Sequence, residues 1–476
     1  MRFGSPLVAL VAAILAAYCT GALAGADSDA LHYLDGGSLT TSLDVSLGFL
    51  YGAGGRPDGL GVPVSTVSPG AASASANPAG LAFLSGNALL IDALPPVGAS
   101  VGDFVDIESR AAEAIDEAVE DIAAHDLQTI YPSLEAMLGQ QAGMISGAVA
   151  MRIGRVVAGA AIEEPMSLSL DLVDTGIEGF AETVKEEGES DVDITVRCML
   201  DAAADLDVVI DRTTLAAGSA LTDQVAVGLS LSRYHAAAHL SAELRSDGVL
   251  SYGGQEYAFN DPSDPWHNEL GGSMSGDYEG QGIGWTAGAS YRPLDRLSLD
   301  ICYTRVPALS LDGEIRTVEN MLPAISDDGF DAEEIPASQP TLTERTETIE
   351  NDPLSLDLPS YFGAAASLRT GVLMTTLEYR CYQGSLGFAF QDHAEGVELS
   401  HGAGLELSLY GVRLGGGFIR GALTGESTED GSSPESVTVP MANLGMGLEF
   451  GENVSVDAVV LALPLQVMKM SLGYEF

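Results

Sequence analysis

Lysine is almost missing from this chain. Only Lys185 and Lys469 occur, and the 20 basic residues in all face 68 acidic ones, a formal charge of −48. A surface of that sign repels polyanions, so nucleic acid is excluded as a partner. It reads as an acidic, solvated exterior, with cation attraction by the loops as the sharper reading. Cysteine is scarce too. Beyond Cys19 there are only Cys198, Cys302 and Cys381, an odd and widely spaced set with neither a disulfide framework nor metal-ligand spacing. The seven histidines are scattered. His235 and His239 stand four apart, which suits a metal on a helix, but their neighbourhood is strand-rich and has no carboxylate in register. No Gly-x-Ser-x-Gly elbow sits in a strand–turn–helix setting. The chain is therefore expected to have no catalytic residue, no metal and no cofactor. Past the first 24 residues, no run approaches the roughly 18 apolar residues of a membrane helix.

What is present begins with an export signal. Arg2 supplies a positive charge, Leu7 to Ala17 is an unbroken apolar run, and Ala22-Leu23-Ala24 is a small-x-small cleavage site. Residues 1–24 are the expected signal peptide. Cys19 also suits a lipoprotein signal, although Tyr18 stands where a small residue is expected before it.

The other end carries the clearest pattern. Met468, Met470, Leu472, Tyr474 and Phe476 alternate with Lys469, Ser471, Gly473 and Glu475. Successive strand side chains point to opposite faces, so this strand has one apolar, aromatic-tipped wall and one mostly polar wall. Transmembrane β-barrel strands read this way, and so does an ordinary edge strand. Similar alternation predicts strands at 87–95, 142–152, 155–163, 206–219, 223–234, 282–292, 296–305, 361–369, 372–381, 400–409, 411–421, 440–450, 453–462 and 465–476. Their connections alternate in length. Short ones fall at Gly154, Leu221-Thr222, Pro293 to Asp295, Thr370-Gly371, Tyr410 and Gly451-Glu452. Long ones span 96–141, 164–205, 235–281, 306–360, 382–399 and 422–439. Short periplasmic turns and long outer loops are the habit of outer-membrane barrels. The fold class expected is all-β: a fourteen-stranded antiparallel transmembrane barrel over 87–476.

Within the long connections, Phe104, Ile107, Ala111, Ile115, Val119 and Ile122 recur at three- and four-residue steps. They predict an amphipathic helix over 103–126, either packed on the rim or walling an external hydrophobic groove with Phe104, Ile107 and Ile115 as ligand contacts. A weaker helix is expected over 172–186. Segment 306–360, rich in Asp, Glu, Pro and Thr, reads as an exposed loop. Residues 25–86 precede the first strand and read as a plug. Their Gly/Pro-rich lead leaves no regular element. The small residues that follow, through Asn77, Pro78, Ala79 and Gly80, suit a confined lumen. Pro78 suits a kink and Gly80 a close approach to the wall.

The run Ala74-Ser75-Ala76-Asn77-Pro78-Ala79-Gly80-Leu81-Ala82 resembles the hatch motif of FadL-type outer-membrane transporters of long-chain fatty acids and other hydrophobic compounds. Other stretches agree, in order. They are Ala217-Gly218-Ser219 with Val225 to Leu231, Gly284-Trp285 to Arg292-Pro293 with Leu297 to Tyr303, Leu311-Asp312-Gly313, and Leu358-Pro359-Ser360-Tyr361-Phe362-Gly363. The chain departs from that pattern in its long Gly/Pro lead, its acidic loops and its lack of lysine, which suits a divergent branch such as the related outer-membrane proteins of spirochaetes. The resemblance implies passive uptake of hydrophobic small molecules, with a hatch at Asn77–Gly80 as the gate, outer-membrane lipid around a monomeric barrel, and a location in the outer membrane. A cargo carboxylate would need a cationic or hydrogen-bonding partner, and arginines such as Arg233, Arg292 and Arg305 are candidates whose facing the sequence does not give. Two other readings compete: a scaffold, adhesin or secretion-partner barrel acting through acidic loops, and a water-filled porin.

Overall fold

A computed structural model describes residues 31–46, 64–66, 70–93, 99–100, 133–139, 145–187, 190–252, 254–261, 263, 268–321, 325–326, 329–330, 343–351, 353–390, 393–424, 436–450, 453–463 and 467–476. Fourteen strands form the wall: β1 (Ala88–Ala93), β2 (Ile145–Ile153), β3 (Val156–Glu187), β4 (Ser190–Ala220), β5 (Val225–Tyr252), β6 (Gly271–Leu294), β7 (Leu297–Arg305), β8 (Ser360–Thr370), β9 (Leu373–Gln383), β10 (His393–Leu409), β11 (Val412–Thr424), β12 (Ser436–Phe450), β13 (Val454–Leu463) and β14 (Val467–Glu475). Each pairs antiparallel with the next, and β1 pairs with β14, so the sheet closes on itself. Closure leaves the wall no open edge. The seam is completed by Phe476. Phe476 N–H donates to Asn87 O and Asn87 N–H to Phe476 O, both at 2.9 Å.

All fourteen expected strands are found. Among the described residues the short turns hold where expected, Gly451-Glu452 lying outside them, and Gly154 and Gly371 supply the positive φ values, +66° and +63°, that those tight reversals need.

The side chains are arranged inside out. Leu215, Leu229, Leu231, Ile283, Ile301, Leu377, Leu414, Leu444 and Leu472 are exposed on the outer face. Inward-facing hydroxyls are buried and bonded to each other across strands: Thr214 with Ser232 at 2.8 Å, Thr286 with Thr304 at 3.1 Å, and Ser367 with Thr376 at 3.1 Å. A soluble protein does not expose so wide an apolar band. Lipid tails accept it, and the alternation that produces it is that of a transmembrane barrel.

Several stretches expected to be loops are strand. β3 runs to Glu187 and β4 begins at Ser190, so 172–186 is paired strand and not helix. Tertiary pairing overrides the weak helical spacing there, and Val173, Thr175, Ile177, Thr183 and Val184 are β-branched. The 306–360 stretch also holds strands, at Leu309–Met321, Glu344–Glu350 and Leu354–Asp357. These, with the outer halves of β3 to β6, rise above the apolar band as one sheet. Leu31–Ser46, inside the stretch expected to plug the barrel, is a strand on the outer half of β3.

The band and the rising sheet meet at a break in the ladder. Between β7 and Leu309–Met321 lies Pro307, and between Leu354–Asp357 and β8 lies Pro359, and neither has an N–H to give. The Ser360 hydroxyl fills in, accepting from Val306 N–H at 3.0 Å.

Candidate functional site

Residues 64–66 and 70–84 lie on the inward face of the wall, near the short-turn end, and are fixed by wall carboxylates. Glu378 of β9 accepts from Val64 N–H at 2.9 Å and Ser65 N–H at 3.2 Å. Asp300 of β7 accepts from Thr66 N–H at 3.1 Å and from its hydroxyl at 2.7 Å. Glu163 of β3 accepts from the Ser75 hydroxyl at 2.6 Å. Arg292 donates to Thr66 O and lies over the Phe83 ring, and Arg152 donates to Leu84 O. Each carboxylate is almost fully buried. Hydrogen bonds to a charged acceptor, away from water, are worth more than neutral ones.

Asn77 organises the middle of the segment. Its carboxamide donates to Val64 O at 2.8 Å and caps the turn Pro78–Phe83 by accepting from Ala79 N–H at 3.2 Å. Pro78 opens that turn, where its missing N–H costs nothing. The wall makes room with glycine. Gly218, Gly228 and Gly288 face Asn77, Pro78, Leu81 and Ala82 so closely that none has space for a Cβ. Beyond them, Ala71, Ala74, Leu81 and Leu84 pack on Ala148, Ala150, Val157 and Ala161 of β2 and β3. Asn77, Pro78, Ala79 and Gly80 are all four buried. Gly80 differs in one respect. It approaches Ser73 of its own segment, 2.6 Å from where a Cβ would stand, and not the wall.

Thr66→Val is expected to loosen this seat. The variant keeps the shape, removes the hydroxyl bonds to Asp300 and Ser290, and leaves a buried carboxylate under-satisfied. The cost is about 1–3 kcal/mol. Limited proteolysis between residues 64 and 84 should quicken while the heat-resistant barrel band on a gel stays.

Above the segment the inward face turns apolar. Along β5, Gly228 meets Pro78 and Ala79, Ser230 and Ser232 carry hydroxyls, and Tyr234, Ala236 and Ala238 follow. The last three are buried in an apolar cluster with Val208 and Ile210 of β4, Tyr278 of β6, Leu309, Leu311, Ile315, Leu354, Leu356 and Leu358. This collar spans the wall from β4 to the strand before β8. At its foot stand two arginines that sequence reading did not single out. Arg212 lies 5.9 Å from the Tyr234 ring centre and donates to Glu163 at 2.7 Å. Arg380 lies 5.6 Å from that of Tyr361 and donates to Glu378 at 3.2 Å. Both are paired with a glutamate.

None of the three arginines named as candidate carboxylate partners stands free on the inner face. Arg233 and Arg305 are exposed on the outer face, and Arg292 is engaged with Thr66 and Phe83. Phe104, Ile107 and Ile115, with the helix expected over 103–126, lie outside the described residues. Among the described residues no cluster of three metal-ligating side chains occurs.

No family model matches this chain, and no curated protein matches it. Among solved structures it is similar to a Pseudomonas aeruginosa FadL homologue, with 11% identity, covering 91% of this chain and 98% of that one, at a TM-score of 0.45. It is similar to the CymD monoaromatic hydrocarbon channel, with 12% identity over 90% and 99% of the two chains, at a TM-score of 0.44. It is also similar to the Pseudomonas putida toluene transporter TodX, with 11% identity over 93% and 97%, at a TM-score of 0.39.

Proposed function

We propose that this protein is an outer-membrane barrel for the energy-independent passage of hydrophobic compounds. One observation carries the reading: a buried apolar collar stands directly above a seated lumen segment, separated from it by rings of buried hydroxyls. An apolar solute gains about 25 cal/mol per Å² buried against such a collar. The segment 64–84 below then acts as the gate, with Asn77, Pro78, Ala79 and Gly80 at its moving centre. Phe104, Ile107 and Ile115 are assigned to the outer capture surface. No step needs a cofactor or a bond-making residue.

The collar also bears on the cargo. Arg212 and Arg380 are each neutralised by a glutamate, so a carboxylate arriving there meets carboxylates. A neutral apolar molecule fits better than a fatty-acid anion. The test is uptake by bacterial cells lacking their own hydrophobic-compound barrels and expressing this chain. Oleyl alcohol and toluene should enter several-fold faster than in empty cells, and oleate should gain less. Steady ion conductance with no gain for apolar probes would instead select the porin. No gain of either kind would select the scaffold.

A further inference from the structure

The outer face holds a sector that the transport reading does not use. Arg233 on β5, Arg305 on β7 and Arg420 on β11 are exposed, and each lies eight residues along from the first residue of its strand, Val225, Leu297 and Val412. At about 3.3 Å per residue and a tilt near 40°, that places all three about 20 Å from the short turns, at the outer border of the apolar band. Aromatic rings fill the spaces. Trp285 and Tyr303 sit 5.3 Å apart between Arg233 and Arg305, and His401 contacts Tyr379 and Phe418 beside Arg420.

The absence of acid here is the telling part. From the short turns to this border, the outward positions of β5 to β11 carry no Asp or Glu, in a chain with 68 of them. The acids of those stretches, Asp300, Glu378 and Glu406, are buried on the inner face. On neighbouring β3 and β4 the same border carries Glu164 and Asp211. None of the three arginines makes an ion pair among the described residues; Arg233 donates to Gln281, at 2.8 Å.

We propose that this β5–β11 border binds the phosphate groups of an outer-leaflet lipid. Guanidinium groups match phosphate oxygens in geometry and charge, and interfacial rings hold the glycerol or sugar level. The acyl chains lie below on Leu229, Leu231 and Ile301. A soluble phosphate compound would have no use for that apolar strip, which is why a lipid is the occupant. The inference needs the barrel to stand in a membrane but not that it transports anything.

The test is native mass spectrometry of the detergent-purified full chain with added bisphosphorylated lipid A. Wild-type barrel should retain the lipid, and the R233Q/R305Q/R420Q variant should bind it about 10- to 100-fold more weakly. Dephosphorylated lipid A should bind the wild type as weakly. E164Q/D211N, on the acidic border, should leave retention unchanged. Heat-modified gel mobility verifies that each variant is folded, and single arginine changes, with partial losses, serve if the triple variant is not. Equal retention by the triple variant, equal binding of the dephosphorylated lipid, or equally tight binding of glucosamine phosphate would each overturn the proposal.

Discussion

Gly228→Leu is expected to open the barrel. A Cβ at this position falls on backbone atoms of Pro78 and Ala79, which cannot rotate away as a side-chain tip would. One of the two bodies must move. Strand β5 is held along its length by β4 on one side and β6 on the other. The segment that carries Pro78 and Ala79 rests on two short turns and a few charged anchors. It yields first. The measurement is ion conductance of the purified barrel in planar bilayers. The wild type should be mostly closed, and the variant should conduct steadily, at least about tenfold above it, a shift of about 1.4 kcal/mol in the closed-to-open balance. Leu229→Ala, one residue on and facing lipid, should change nothing. A variant that stays as closed as the wild type would remove the segment from the gate.

The second large effect is expected from Leu311→Asp. Leu311 is fully buried in the collar, opposite Leu354 in one ladder and Gly280 in the other. The substitution places a carboxylate where no described cation is free to meet it, since Arg212 and Arg380 are paired below. An unpaired charge in apolar surroundings draws water, and a wet collar no longer attracts an apolar solute. Uptake of toluene or oleyl alcohol should fall by at least about tenfold, with barrel folding retained because the site is above the lipid band. Leu311→Met should keep most of the uptake. Undiminished uptake in the Asp variant would show that cargo does not pass the collar.

The wall was legible because lipid enforces a simple code. One face must be apolar, so Leu444, Met446 and Leu448 show against Gly445 and Gly447 without any knowledge of neighbours. Above the membrane that pressure ends. In β3 beyond Glu163, and in Leu309–Met321, both faces meet water or protein and the alternation blurs, so strand was read as loop. The buried segment at Asn77 to Gly80 was legible as a place where small residues crowd together. Its anchors were not. Glu163, Asp300 and Glu378 are single acids among 68, and only the fold shows that they face inward. The collar was hidden for a related reason: each strand contributes only a few residues, and they meet only once the sheet curves.

The seam between β1 and β14 has a consequence for assembly. The segment 64–84 comes before β1 in the chain, yet it rests on strands as late as β9, and β1 is sealed only by residues up to Phe476. Contacts so distant in sequence form slowly. A ring that closed before residues 64–66 and 70–84 were seated would shut them out, so they must dock on an open, curling sheet and be enclosed when β14 arrives. The strand that leads into Phe476 is then the latch of the whole assembly. A chain cut before β14 would be caught with those residues exposed, as a substrate for proteases instead of a membrane protein.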